Sequence, residues 1–524
     1  MTLAIATFGC PHCTAPLPAH ARYCGKCGNP LSYSAVITVQ PSTTRLATLE
    51  QAQAAFHQRY PMFASTHLLD DLRATDYTRL DKQRHIYLDY TGGGLYAEHQ
   101  LRAHLALMSE QVLGNPHSDN PTSRAATDLD EQARAFVLDY FNASPDEYLV
   151  IFTPNASGAL RLVGESYPFS PESRYVLTAD NHNSVNGIRE FARARGAAIT
   201  YIPVALPDLS VEEAQLFACL DRPSRAGSRL FAYPAQSNFS GVQHPLEWID
   251  YAHHRGWEVL LDAASFVPTN RLDLRRWHPD FVPLSFYKMF GYPTGVGCLI
   301  ARREALAKLR RPWFAGGTIW AASVATERVF MADDEAAFED GTINYLTLPA
   351  VEIGLKHLQT IGIDRIHTRV QCLTSWLLEQ LVTLRHCNGA PVVQLYGPPG
   401  CRGRGGTIAL NFLDPTGKFI DERLVSRRAN IQSISLRTGC FCNPGAAAAA
   451  QGVLPQAQVH AFQHEERSSY EDWLTELGMQ TGGAVRVSLG LVTTFADVHH
   501  FVAFARTFLD AIPDESDLPP RQHC

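Results

Sequence analysis

Ser285-Phe286-Tyr287-Lys288-Met289-Phe290-Gly291, with the turn Pro293-Thr294-Gly295-Val296-Gly297 close behind it, decides the fold. The apolar run Phe281 to Phe286 leads straight into a lysine and then into glycine-rich chain. Near-continuous apolar runs of this length mark strands covered on both faces. Burial disfavours a charged amine, so a lysine closing such a strand has its pKa pulled down. Its free amine is then competent to form an imine with a carbonyl group. Taken alone, the segment reads more readily as a surface lysine at a strand end. The spacing upstream separates the two readings.

Twenty-six residues earlier (288 − 262), Val259-Leu260-Leu261 closes on Asp262. An ionised Asp in that position can pair with the ring nitrogen of pyridoxal phosphate and keep the ring an electron sink. Further upstream, Thr153-Pro154-Asn155-Ala156-Ser157-Gly158 joins a strand to an apparent helix. A helix N-terminus offers free N–H groups and a positive dipole end to a phosphate. Each motif is weak by itself. Their order, phosphate turn, then Asp, then Lys, each at a strand end, resembles the fold type I pyridoxal-phosphate enzymes.

The surrounding pattern agrees. Tyr148–Phe152, Arg174–Leu177, Ile199–Val204, Leu230–Tyr233, Glu258–Asp262, Phe281–Phe286 and Val296–Ala301 read as strands alternating with helices. That is the signature of an α/β domain with a central parallel sheet. After Thr342 a helical stretch runs to about Leu384. Strands then recur at Val392–Tyr396, Thr407–Phe412, Ser433–Leu436 and Val485–Ser488, as in a smaller α+β domain. The five-alanine run Ala446–Ala450 opens a helix. The expected organisation is a zinc ribbon at 1–32, a connector with helices at 33–84, a large domain at 85–345, a small C-terminal domain at 346–512 and a flexible tail at 513–524.

Longer motifs narrow the resemblance. Tyr87-Leu88-Asp89, Gly114-Asn115-Pro116-His117-Ser118, Pro234-Ala235-Gln236-Ser237-Asn238-Phe239-Ser240-Gly241 and Asp262-Ala263-Ala264-Ser265 resemble the class V aminotransferase group. Within it they are most similar to the cysteine desulfurase domain of molybdenum cofactor sulfurases, from about residue 85 to 510. The resemblance implies that Lys288 anchors pyridoxal phosphate as a Schiff base. It implies that His182 stacks on the ring and moves protons, and that Asn238 contacts the phenolic oxygen. Ala156, Ser157, Ser285 and Tyr287 fall on the phosphate positions, Tyr287 standing where many desulfurases have His. Ser265 falls where the common desulfurase pattern has Gln, a departure shared with molybdenum cofactor sulfurases. Thr342 matches a threonine that reaches the phosphate of the neighbouring subunit's cofactor, which implies a homodimer.

Leu436-Arg437-Thr438-Gly439-Cys440-Phe441-Cys442-Asn443-Pro444-Gly445 resembles the active-site loop of the same group. By that resemblance the persulfide forms on Cys442, with Cys440 the competing thiol. A loop thiol suits the task, since it must reach the substrate sulfur and then present it outward. Thiolate attack also needs a lowered pKa or a nearby proton acceptor. Arg486, in Val485-Arg486-Val487-Ser488, matches the arginine that grips the substrate carboxylate, which a planar guanidinium does bidentately. The implied reaction takes L-cysteine to L-alanine. Lys288 or His182 removes the Cα proton, and Cys442 takes the sulfur for transfer to an acceptor. Two other readings stay open. One is a C–S lyase or another class V reaction, in which Cys442 is dispensable. The other is a non-catalytic scaffold.

The N-terminus stands apart. Cys10-Pro-His-Cys13 and Cys24-Gly-Lys-Cys27 are two Cys-x-x-Cys knuckles able to converge on one tetrahedral Zn²⁺. So short a segment cannot build its own core, and metal binding would supply its folding energy. The family resembled lacks this ribbon and carries a second, cofactor-receiving domain not expected in this sequence, so the acceptor is left open. The net charge of −7 argues against nucleic acid as a partner. No apolar run approaches the ~20 residues of a membrane span. Twelve cysteines in 524 residues, without a dense disulfide framework, fit a cytoplasmic protein with reduced thiols.

Overall fold

The computed structural model describes residues 8–9, 16–17, 47–116, 118–223, 227–463 and 469–521. The chain divides into two units, Met1–Ser42 and Thr43–Cys524. In the first, Phe8–Gly9 pairs antiparallel with Pro16–Leu17. Cys10, Cys13, Cys24 and Cys27, and the ribbon read from them, lie outside the described residues. Among the described residues no group of three or more His, Cys, Asp or Glu is arranged to hold a metal ion. No described helix is long and apolar enough to cross a membrane.

In the second unit the seven apolar runs build one sheet. Its strands are β1 Tyr148–Thr153, β2 Arg174–Thr178, β3 Ala198–Ile202, β4 Arg229–Pro234, β5 Glu258–Asp262, β6 Phe281–Ser285 and β7 Gly297–Arg302. Their spatial order is β3-β2-β4-β5-β6-β7-β1. Side chains alternate between the faces, as a pleated strand requires. Val259 and Leu261 enter one core with Phe231, Val282 and Leu284. Leu260 enters another with Leu230, Phe281 and Leu299. Both faces are therefore covered, which is why the strands read as unbroken apolar runs. Helices α1 Pro121–Tyr140 and α3 Pro349–Ile361 cover the first face, and α2 Ala156–Ser166 the second. Helix α4, Ile363–Thr383, extends the first core away from the sheet. Truncating one such buried Leu to Ala costs about 2–5 kcal/mol.

The sheet is not wholly parallel. Strand β7 runs antiparallel to both β6 and β1. The reason is length: only residues 286–296, eleven in all (297 − 285 − 1), separate β6 from β7. A crossover between parallel strands takes about a dozen or more. The chain instead makes one helical turn, Phe286–Phe290, and reverses at Gly291, whose φ is 80°. A side chain there would also collide with the backbone at Leu95 and Tyr96. This reversal leaves Lys288 in the turn just beyond β6.

The second sheet comprises β8 Val393–Tyr396, β9 Thr407–Phe412, β10 Arg437–Gly439 and β11 Ala484–Ser488, in the order β8-β9-β11-β10 and antiparallel throughout. The strand expected at Ser433–Leu436 is not part of it. Ile434–Ser435 pairs in parallel with Ile86–Tyr87 instead. Asp89 then bridges to Ser488, so the start of the α/β region is stitched to the C-terminal sheet. Pro444–Ala450 forms helix α5, with Asn443 as its N-cap. The stretch read as a flexible tail is held at Arg521, whose guanidinium pairs with Asp421 (2.6 Å), Glu422 (2.8 Å) and Glu471 (2.9 Å). Three acidic partners outweigh the polar, proline-rich composition there.

Candidate active site

A cavity of about 170 Å³ opens beyond the ends of β1, β4, β5 and β6, the position where open α/β sheets bind ligands. It is lined by nine of the residues singled out above: Ala156, Ser157, His182, Asn238, Asp262, Ser265, Ser285, Tyr287 and Lys288. One wall is the first turn of α2. Asn155 caps that helix by accepting from the Gly158 N–H at 3.0 Å. The Ala156 N–H donates to Ser285 Oγ at 2.8 Å, and the Ser157 and Ser184 hydroxyls lie 2.6 Å apart. Backbone N–H groups and hydroxyls thus converge where a helix dipole favours an anion.

The opposite wall is charged. Asp262 is buried and accepts the Ala264 N–H at 3.0 Å through Oδ1. Its Oδ2 has no donor among the described residues, so this carboxylate can still take one from the cavity. Lys288 retains some accessible surface because its side chain lines the cavity, while protein surrounds it otherwise. Burial pushes its amine pKa down, more than nearby Asp262 holds it up, and Arg486 and Arg437 add to the lowering. His182 is likewise pushed down, first by burial and then by the Lys288 charge. Its Nδ1 accepts the Ser184 N–H at 3.1 Å. The ring proton is therefore on Nε2, and His182 enters as a neutral donor.

Arg486 lies beside this cavity on β11, almost fully buried. It donates to Asn238 O at 2.9 Å and to Asp89 Oδ1 at 3.0 Å, and its Nε is buried without a partner. Burial lowers its pKa to about 10 against the opposing pull of Asp89. Asp89 also accepts from half-exposed Arg437 at 2.7 Å. One carboxylate thus holds two guanidiniums. Removing it would leave Arg486 as an uncompensated buried charge, a cost of about 3–5 kcal/mol. Asp89 was legible only as part of a motif, because the pairing that brings it here spans about 400 residues of chain (486 − 89 = 397).

The Cys442 loop is pinned rather than loose. The Asn183 N–H donates to Cys442 O at 2.7 Å, and Asn238 Nδ2 donates to Phe441 O at 2.7 Å. Phe441 packs on Phe239 and lies under the Arg486 guanidinium, 4.6 Å from ring centroid to Cζ. Gly445 presses against Ala179 O so closely that any side chain would clash. Phe441 and Cys442 are consecutive left-handed residues, with φ of 57° and 55°. For non-glycine residues this costs about 1–2 kcal/mol each, and the hydrogen bonds and ring contacts hold it in place. The Cys442 side chain stays exposed and free. Cys440 is half-buried and packs against the cluster of Phe239, Phe441 and Ala446.

Thr342 is not brought to this cavity. It is exposed, accepts from Asn115 Nδ2 at 3.3 Å, and lines a separate hollow of about 390 Å³ with Trp313 and Asp340. Two residues without an assigned role in the sequence prove central to the geometry, Asp89 and Asn443. Both stand inside quoted motifs, but their partners are set only by the tertiary fold.

A family model for aminotransferase class-V matches residues 86–501. The molybdenum cofactor sulfurase of Arabidopsis thaliana is 36% identical over 497 residues, which is 87% of this chain and 59% of that protein. The molybdenum cofactor sulfurase of Homo sapiens is 37% identical over 459 residues, 83% of this chain and 51% of that protein. The chain thus spans between half and three fifths of the curated relatives it matches. Among solved structures, a cysteine desulfurase from Thermococcus onnurineus NA1 superposes with a TM-score of 0.69 at 23% identity, covering 84% of this chain and 98% of that one. The cysteine desulfurase CsdA from Escherichia coli gives a TM-score of 0.65 at 20% identity, over 84% of this chain and 99% of that one. These two likenesses are likenesses of fold.

Proposed function

We propose, from the premise that this chain belongs to the aminotransferase class-V family, that it is a pyridoxal-phosphate-dependent cysteine desulfurase of the molybdenum cofactor sulfurase type. One observation carries the reading. Lys288, Asp262 and the first turn of α2 line one cavity, and the exposed thiol of Cys442 sits on a loop docked to its rim through Asn183 and Asn238.

The donor set fits pyridoxal phosphate. Asp262, with one oxygen undonated, suits a protonated ring nitrogen. Ala156, Ser157, Ser285 and Tyr287 suit the phosphate, and the second amide hydrogen of Asn238 suits the phenolic oxygen. Ser265 and His182 complete the walls, and Lys288 is the anchoring amine. Bound there, the group supplies an electron sink for negative charge developing at the substrate Cα.

The remaining chemistry belongs to the protein. Arg486 binds the substrate carboxylate. The Lys288 amine, its pKa lowered by burial, takes the Cα proton. His182 Nε2–H is the neighbouring donor. The Cys442 thiolate then takes the sulfur: the Cβ–S bond breaks, an S–S bond forms and Cβ gains a proton. L-cysteine plus thiol gives L-alanine plus persulfide, and atoms and electrons balance.

Three further features belong to the same proposal. Thr342 is exposed and outside its own cavity, near Trp313 (51% exposed) and Phe314 (45%), with exposed Trp320 and Phe330 on the adjoining hairpin. This supports a homodimer in which Thr342 serves the neighbouring site. Cys10, Cys13, Cys24 and Cys27 are proposed to hold one structural Zn²⁺, on the strength of their spacing. The persulfide is proposed to pass to an acceptor in a reducing cytoplasm.

The test is alanine release from L-cysteine by the loaded protein, with Cys442→Ser alongside. We expect alanine and a mass-detected Cys442 persulfide in the wild type, and loss of both in the variant. Pyruvate release that survives Cys442→Ser would instead identify a C–S lyase.

A further inference from the structure

The Cys442 loop is fastened to the cavity by two asparagine side chains, and one of them has no role in the reaction as derived so far. Asn443 is completely buried. Its Oδ1 accepts the Ala446 N–H at 3.2 Å and so caps α5. Its Nδ2 donates twice, to Asp180 O at 2.6 Å and to Asn238 Oδ1 at 2.9 Å. Those two acceptors flank the cavity from different strands. Asp180 lies just beyond β2 and two residues before His182, and Asn238 lies beyond β4. Asp180 is itself fixed by His244, whose Nε2 is 2.8 Å from its carboxylate. Asn238 returns the contact by donating to Phe441 O. The loop is thus tied on both sides of its thiol, while the thiol remains exposed.

We propose that Asn443 is a positioning residue for sulfur transfer: its amide clips the Cys442 loop to Asp180 and Asn238, so that the thiol meets the substrate from a fixed station. This rests on the reading of Cys442 as the sulfur-accepting thiol. It carries a corollary for delivery. Because the thiol is exposed while the backbone is docked, the persulfide is reachable from solvent without the loop undocking. The coupling to Asn238 also joins loop docking to the residue that faces the ring oxygen. With Oδ1 taken by Asn443 and one Nδ2 hydrogen by Phe441 O, the Asn238 amide has a single orientation, its remaining hydrogen toward the cavity.

Two substitutions separate clipping from helix capping. Asn443→Asp and Asn443→Ser both keep an oxygen at the N-cap, which these residue types serve well. Neither can make the two amide donations. The first readout, on the full-length protein before cofactor is added, is hydrogen–deuterium exchange at the Asn183 amide, which is held by Cys442 O. We expect exchange at least ~10-fold faster in Asn443→Ser, with the α5 amides unchanged. The second readout, on the loaded protein, is a split of kinetic constants. We expect kcat for alanine release to fall ~10–100-fold in both variants, with KM for L-cysteine within about threefold and the cofactor absorbance retained. Wild-type protection of Asn183 in Asn443→Ser overturns the proposal. So does a rise in KM with unchanged kcat. If Asn443→Asp fails to fold, Asn443→Ser decides alone. Should Cys442→Ser release alanine normally, the desulfurase reading fails, whereas the exchange result still reports on the clip.

Discussion

The cofactor cavity and the Cys442 loop lie side by side but are made differently. Lys288, Asp262 and the turn before α2 each follow directly from the end of a sheet strand, so the covered sheet fixes them through its own backbone ladder. Cys442 hangs on four residues, 440 to 443, between β10 and α5. Side-chain amides and two left-handed backbone conformations hold it. The first arrangement suits groups that must not move relative to a bound ring. The second suits a thiol that, in the proposed reaction, serves substrate on one side and solvent on the other. Under the proposed reaction, chemistry on the substrate carbon belongs to the sheet and chemistry on sulfur to the loop.

The comparison breaks most severely at Lys288. Lys288→Ala removes both the anchor and the base, and alanine release should fall by on the order of 10³-fold or more. The Asn183 exchange rate should stay at the wild-type value, because the loop is tied elsewhere. A loosened loop in Lys288→Ala, seen by the same exchange measurement, would show that the two regions are one. Arg486 comes next, since it touches Asn238 of the cavity and Phe441 of the loop. Arg486→Lys cannot reproduce a bidentate grip, and a charge-assisted pair is worth about 1.5–3 kcal/mol. KM for L-cysteine should rise roughly 10–100-fold, read from initial rates, and an unchanged KM removes Arg486 from substrate binding.

The smallest effect concerns His182. Its pKa is lowered, so the folded ring is neutral at and below the usual imidazole value of about 6.5. The sign follows. Between the depressed pKa and ~6.5 the unfolded chain binds more protons, so this group's contribution to stability rises with pH over that window. That contribution is lost as pH falls through the folded pKa, when Nδ1 is protonated and releases the Ser184 N–H. An imidazole titration of His182 by NMR should give a midpoint below 6.5, and a midpoint at or above it would contradict the buried, neutral assignment.

The same division governs what could be read in advance. Strand ends are visible in sequence because apolar runs stop at them, and Asp262 and Lys288 stop two of them. All seven runs of the large sheet were legible, and so were the helices from Pro349 to Thr383. The reversed direction of β7 was not, because apolar composition carries no sense of direction, although the eleven-residue connection before it did. The loop defeated pattern reading differently. Nothing local marks its docking, in which Gly439 packs against Gly483 and Gly445 presses on Ala179. Asn443 and Asp89 act through partners about 200 to 400 residues away, which no local spacing encodes. The four N-terminal cysteines lie outside the described residues.

The reversal of β7 has a consequence in time. Strand β1, which carries the turn into α2, is an edge strand whose one neighbour in the sheet is β7. On a ribosome making ~5–20 residues per second, the 144 residues from the end of β1 to the start of β7 (297 − 153) take roughly 7–30 s to follow. Until then β1 has no partner, and the phosphate end of the cavity is unanchored. Lys288 emerges only nine residues before β7 begins (297 − 288). The reactive amine and the strand that closes its cavity are therefore made almost together, which limits how long a nascent chain carries one without the other.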